Sequence, residues 1–124
     1  MAVFHKHLII RAEVNNPPKD EELVKDWMRS LIGHIGMNLL MGPYAHYLNV
    51  EGNRGITSVA IIETSHIAMH VWDESNPALM QLDVYTCGPL DPYDVVDMIK
   101  EFDPVSIQMK YLDREHDLTE IPFE

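Results

Sequence analysis

The sequence predicts an α+β two-layer sandwich, an antiparallel sheet with two helices on one face. Three observations carry this. Segments of period-two alternation and segments of helical spacing follow in the order strand, helix, several strands, helix, strand. Each helical stripe opens on an aspartate that can cap it and runs to a proline. At 124 residues the chain suits one domain, residues 1–124, with a single core and no visible internal repeat.

The elements justify themselves in order. In "VFHKHLIIRAEV" Phe4, Leu8, Ile10, Ala12 and Val14 alternate with His5, His7, Arg11 and Glu13, so one strand face is apolar. After the breaker "NNPPKD", Asp20 caps a helix with Leu23, Val24, Trp27, Met28, Leu31, Ile32 and Ile35 on one stripe, expected to run until Gly42-Pro43. "YAHYLNV", the turn "EGNRG", "ITSVAIIET" and "HIAMHVW" then form a strand meander. The turn "DESNP" precedes the strand "LMQLDVYTC". Asp91-Pro92 starts a second helix, with Val95, Val96, Ile99 and Phe102 as its stripe, which stops at Asp103-Pro104. "VSIQMKYL" is the last strand, and the acidic tail after Asp113 is expected to be loosely ordered.

Composition narrows the function classes. The formal charge of −11 argues against a nucleic-acid partner and suits a cationic ligand or plain solubility. The single Cys87 excludes an internal disulfide and fits a reducing compartment. With no long apolar run and no charged-then-apolar leader, membrane spanning and secretion are disfavoured, and a cytoplasmic location is expected.

Strand alternation sorts the chemistry. His66, Ala68, His70 and Trp72 share one side of their strand, and Gln81, Asp83, Tyr85 and Cys87 one side of the next. Both strands keep an aliphatic side for the helices, so the side bearing imidazole, thiol, phenol and indole is the candidate site. Singly, each of these residues is ordinary: a hydrogen-bonded histidine, a packed aromatic ring, a small buried cysteine. Metal binding is disfavoured, because His66 and His70, four apart on a strand, are separated by roughly 13 Å. His5 and His7 share a face but lack a nominated third ligand. A Ser-His-Asp hydrolase is weaker still, since no G-x-S-x-G elbow is present and adjacent Ser65 and His66 point oppositely.

"TSHIAMHVWDE" followed by "QLDVYTCG" resembles the core motif of the small prokaryotic S-adenosylmethionine decarboxylases, a Glu-Ser-His, His, Trp-x-Glu pattern followed by Asp-Val-aromatic-Thr-Cys-Gly. The match is close over residues 55–88 and extends over the rest in element order and length. The resemblance implies a proenzyme that cuts itself between Thr64 and Ser65 into chains 1–64 and 65–124. Ser65 would attack the Thr64 carbonyl and end as a pyruvoyl group, the only cofactor, with no metal. His70 would move protons during processing, assisted by the Thr57 hydroxyl. The pyruvoyl ketone would take the substrate amine as a Schiff base, and Cys87 would reprotonate the substrate after carbon dioxide leaves. Glu74 would hold the ribose hydroxyls of S-adenosylmethionine beside Trp72, supplying the aminopropyl donor for spermidine synthesis.

The resemblance also implies a homodimer, a four-layer αββα sandwich with sites near the interface. Tyr44, His46, Leu48, Trp72 and Tyr85 are too apolar a set to face water comfortably. Two departures stand out: Thr64 occupies the position of the family's glutamate, and "LNVEGNRG" lacks an aromatic residue to stack on adenine, leaving Tyr44 or Tyr47 as substitutes. The departures keep two alternatives open, a pyruvoyl-dependent decarboxylase of ornithine or arginine and an unprocessed ligand-binding or regulatory relative.

Overall fold

Among the described residues six strands form one sheet in the order β2-β3-β4-β5-β1-β6, with all neighbours antiparallel. The computed structural model describes residues 4–122. The strands are β1 (Lys6–Val14), β2 (Leu39–Leu48), β3 (Gly55–Ile62), β4 (Ser65–Trp72), β5 (Ala78–Thr86) and β6 (Pro104–Asp113), and the helices are α1 (Glu21–His34) and α2 (Pro92–Ile99). A 3-10 turn, Lys100–Phe102, extends α2.

The alternation seen in the sequence becomes the two faces of this sheet. Leu8, Ile10, Ala12 and Val14 of β1, Ile67, Met69 and Val71 of β4, and Met80, Leu82 and Val84 of β5 are buried under the helices. Val24, Trp27, Met28, Leu31 and Ile32 of α1 and Val95 and Ile99 of α2 complete the core. Leu23, expected on the α1 stripe, is exposed instead. Trp27 joins the helices, its ring 5.2 Å from Phe102 and its indole N–H donating to the Met98 carbonyl at 3.0 Å. The other sheet face, with His66, Ala68, His70 and Trp72 half-buried or exposed, carries no helix among the described residues. Among the described residues no helix is long and apolar enough to cross a membrane.

Both aspartate caps behave as expected: Asp20 accepts from the N–H groups of Glu22 and Leu23, and Asp91 from Tyr93. Three expectations need correction. The first helix does not reach Gly42-Pro43. It ends at His34, where Gly36 turns the chain at φ 74° and Met37 N–H closes back on the Ile32 carbonyl, so Leu39 already begins β2.

The first strand starts at Lys6. Phe4 precedes it and is 57% exposed, so it is not part of the core face; Val3 lies outside the described residues. The tail is not loose over its described length. Asp113 N–H donates to the Thr119 carbonyl at 2.9 Å, Ile121 N–H to the Tyr111 carbonyl at 2.7 Å, and the Glu115 carboxylate accepts from the N–H groups of Phe4 and His5. Residues 123–124 lie outside the description, as do residues 1–3.

Candidate active site

β3 and β4 meet in a hairpin whose last pair is Ile62 with Ser65, leaving Glu63 and Thr64 as a two-residue turn. Ser65, the first strand residue after this turn, sits at φ 148°, a region that L-residues other than glycine rarely enter. Such strain persists only where the surroundings hold it. They do: on the far side Ser65 pairs with Thr86 at the end of β5, and the Cys87 N–H donates to the Thr64 carbonyl at 3.0 Å. A serine hydroxyl, the carbonyl before it and an N–H donor on that carbonyl oxygen are thereby gathered at one corner. Cys87 follows as a half-buried free thiol.

The side chain of Thr64 is held as well. Its hydroxyl donates to the Met37 sulfur at 3.3 Å and accepts from the Thr86 hydroxyl at 2.9 Å, and Thr86 Oγ1 in turn accepts from Gly88 N–H at 3.0 Å. Thr86 is fully buried.

The second group sits at the opposite end of β4. His70 faces Thr57 across the β3–β4 ladder, with Nδ1 and Oγ1 3.1 Å apart, and Trp72 stacks on the His70 ring at 5.8 Å and 24°. His70 and Ser65 are five residues apart on one strand, roughly 16 Å at the rise of an extended chain. The structure therefore brings Thr57, His70 and Trp72 together, and Ser65, Thr64 and Cys87 together, but not the two groups with each other in one copy. Leu48, Asn53, Gly55, Thr57, His70 and Trp72 line a cleft of about 300 Å³ beside the second group.

Glu74 borders this group. Its carboxylate accepts from the N–H groups of Gly52 at 2.9 Å and Arg54 at 3.2 Å, which lowers its pKa below the ordinary value. The Trp72 indole N–H donates to Asn53 at 2.9 Å. Both residues thus fasten the β2–β3 turn, and each carboxylate oxygen of Glu74 retains a lone pair for another donor. Beneath them lies Asp73, its side chain fully buried, taking Arg54 Nε at 2.7 Å and the Tyr47 hydroxyl at 2.8 Å. Burial pushes the Asp73 pKa up, but the hydrogen bonds from Arg54 and Tyr47 outweigh it and hold it below the usual carboxylate value. Tyr47, one of the two substitutes for adenine stacking, is thus engaged through its hydroxyl, whereas Tyr44 is 54% exposed on the uncovered face.

A further polar cluster lies on the uncovered face one row from Ser65. His7 and His66 each pack 5.5 Å from the Tyr85 ring, and the Arg114 guanidinium stands 3.9 Å above it. Burial lowers the His7 pKa despite the Asp83 carboxylate 3.6 Å away. His5 turns to the Tyr85 hydroxyl and His7 Nδ1 to Arg114, so these two histidines address different groups, and a cation between them would meet a guanidinium. Among the described residues, the donor atoms of His34, Asp94 and Asp97 approach within 4.8 Å of one another on the helix layer, where Lys100 already pairs with Asp97 at 3.0 Å.

The motif reading gives roles to Ser65, His70 and Cys87 but none to Thr86, Met37 or the Cys87 main chain. Thr86 has two available signals, its place in the motif before Cys87 and a polar side chain in register with the buried aliphatic positions of β5. Met37 has none, since its place depends on where α1 stops.

A family model described as S-adenosylmethionine decarboxylase matches residues 6–115 of this chain. An arginine decarboxylase proenzyme from Caldivirga maquilingensis is 39% identical over 64 residues, which span 48% of this chain and 45% of that protein. An S-adenosylmethionine decarboxylase proenzyme from Methanococcus maripaludis is 42% identical over 50 residues, 40% of this chain and 39% of that protein. The matched stretches thus span less than half the length of either relative. The crystal structure of the adenosylmethionine decarboxylase from Aquifex aeolicus superposes with a TM-score of 0.69 over 96% of this chain and 99% of the other, at 23% identity, a likeness of fold.

Proposed function

Because the chain belongs to the S-adenosylmethionine decarboxylase family, we propose that it is a proenzyme that cleaves itself between Thr64 and Ser65 and then decarboxylates S-adenosylmethionine. The observation that carries this is the corner itself, Ser65 at φ 148° with the Thr64 carbonyl seated on the Cys87 N–H.

Ser65 Oγ adds to the Thr64 carbonyl carbon, the Thr64–Ser65 C–N bond breaks, and the hydroxyl proton passes to the freed Ser65 amine. The negative charge of the tetrahedral stage develops on the oxygen that Cys87 N–H already contacts, where a fixed donor is most effective. Relief of the Ser65 backbone strain offsets part of the cost of breaking amide resonance. Loss of the Ser65 Cα proton and of the Cβ–Oγ bond then releases the Thr64 carboxylate, and water displaces ammonia to leave a ketone on chain 65–124.

The residues fit that group: the strained serine supplies its carbons, and the Cys87 thiol belongs to the residue directly after Thr86, the register partner of Ser65. Bound at this corner, a pyruvoyl ketone supplies an electron sink for decarboxylating an amino acid. The Cys87 thiol then returns a proton to the former α-carbon, a role that requires it protonated rather than thiolate. The −11 charge of the chain favours approach of a sulfonium substrate.

His70 and Thr57 take part from a second copy. A two-fold axis crossing the uncovered face near Ala68, perpendicular to the strands, reverses strand direction and lays the row of His70 over the row of Ser65. The homodimer is then a four-layer αββα sandwich, each site using Ser65 and Cys87 of one copy with His70, Thr57, Trp72 and Glu74 of the other. A cytoplasmic setting accords with the free Cys87.

Arginine is the second substrate reading, favoured by the similarity to the Caldivirga maquilingensis protein and by the engagement of Glu74 with Gly52 and Arg54. Intact masses beside a Ser65→Ala control, followed by carbon dioxide release from S-adenosylmethionine, arginine and ornithine, test both levels. Two fragments and release from S-adenosylmethionine are expected. An uncut chain rejects self-processing and favours a ligand-binding relative, and release from arginine alone rejects the substrate.

A further inference from the structure

We propose that Thr86 is a positioning residue for self-cleavage, acting through the Thr64 side chain to hold the scissile carbonyl on the Cys87 N–H; this rests on Ser65 being the cleavage site. The corner contains a directional chain of donors: Gly88 N–H to Thr86 Oγ1, the Thr86 hydroxyl to Thr64 Oγ1, and the Thr64 hydroxyl to the Met37 sulfur, at 3.0, 2.9 and 3.3 Å. Both ends are anchored in main chain, Gly88 directly beyond Cys87 and Met37 through its N–H on the Ile32 carbonyl of α1. The Met37 sulfur lies 3.6 Å from the Thr86 hydroxyl as well, so it backs both threonines.

This arrangement is more than packing. Thr64 is one of only two turn residues between the strands, and its carbonyl carbon is the atom that Ser65 must reach. With its side chain held by Thr86 and Met37 and its carbonyl oxygen by Cys87, the Thr64 unit is restrained on two sides. Such restraint lowers the number of orientations the Ser65 hydroxyl would have to find before attack. It also identifies a use for the Thr64 hydroxyl at a position where the resembled motif carries glutamate. A fully buried threonine on the apolar face of β5 otherwise costs desolvation that an isosteric valine would avoid.

The test follows the rate of appearance of chain 65–124 by intact mass in freshly made protein, for the original sequence, Thr86→Val, Thr64→Val, the double variant and Thr86→Ser. Thr86→Val and Thr64→Val both remove the Thr86–Thr64 hydrogen bond, each with one outer bond, to Gly88 N–H or to the Met37 sulfur, and each is expected to slow cleavage about tenfold. If both act through the same bond, the double variant is no slower than either single one, and Thr86→Ser cleaves near the original rate. A merely structural threonine would not give this pattern.

Melting midpoints in a Ser65→Ala background identify any variant that fails to fold; if Thr86→Val fails, Thr64→Val against Thr64→Ser carries the same comparison. Cleavage of the tested valine variant at the original rate, or multiplying defects in the double variant, overturns the positioning role while leaving self-cleavage intact. An original sequence that never cleaves overturns both.

Discussion

Cys87 has two separable parts in the proposed chemistry, because its N–H and its thiol belong to different steps. Cys87→Ser keeps the main-chain donor on the Thr64 carbonyl and exchanges the thiol for a much weaker acid. The expected outcome is cleavage into two chains with turnover reduced by about 100-fold or more, read from intact mass and carbon dioxide release on the same preparation. A Cys87→Ser chain that stays uncut would mean that the thiol itself serves processing. The same division explains what can be read in advance. Ser65, His70 and Cys87 are legible as residue types in a motif, whereas the N–H of Cys87 and the hydroxyl of Thr86 act through register and burial. Thr86 stands in the motif before Cys87, but the motif assigns it no part, and only the structure shows it fully buried against Thr64 while Thr57 is exposed beside His70.

Among the elements, the β2–β3 turn and the β4–β5 turn are one unit, since Glu74, Asp73 and Trp72 all reach across to residues 52–54. Gly55 makes the approach possible: it sits at φ 151°, and a Cβ there would fall on the Val71 carbonyl. Gly55→Ala is therefore expected to lower the melting midpoint by about 10 °C or more, or to prevent folding, measured in a Ser65→Ala background.

Asp73 gives the unit a pH dependence. Its pKa is depressed in the folded chain, so its stabilisation is complete above the unfolded value of about 3.9 and is lost as pH falls through the lower folded value. Asp73→Asn should lower the urea midpoint at pH 7, and the gap to the original sequence should narrow below about pH 4. An unchanged gap across that range would remove Asp73 from the acid response.

The strands of this unit are legible from alternation, but its ties are not, because Arg54 and Tyr47 look like ordinary surface residues until the turns meet. The missed start of β2 has a similar cause. Met37, Leu39 and Leu40 prolong an apolar pattern that resembles helix, and only the reversal at Gly36 separates the two elements.

At the scale of the whole molecule, one length bears on the proposed assembly. His70 lies five residues from Ser65 on a continuous strand, and the roughly 16 Å between them cannot close without dismantling β4. If His70 serves the Thr64–Ser65 bond, it must do so from another copy, and the uncovered face offers the contact: Ile9, Tyr44, Val59 and Ile61 are all exposed large hydrophobic residues there. A charged residue at the centre of such a contact would be buried without a partner. Val59, the register partner of Ala68, stands at that centre, so Val59→Asp is expected to shift the sedimentation mass from twice 14.3 kDa to about that of one chain and to stop cleavage together.

Complementation is the sharper measurement. In the proposed dimer Ser65→Ala alone would have no nucleophile and His70→Ala alone would lack the proton carrier, but a mixed dimer would contain one complete site, with Ser65 from the His70→Ala copy and His70 from the Ser65→Ala copy. Co-expression should therefore yield fragments derived only from the His70→Ala chain, identified by mass. About half of those chains should be cut when the copies are equal in number and pair at random, since half of their partners then supply His70. If His70→Ala cleaves unaided, or if the mixture stays uncut while each pair still dimerises, the site does not span two copies.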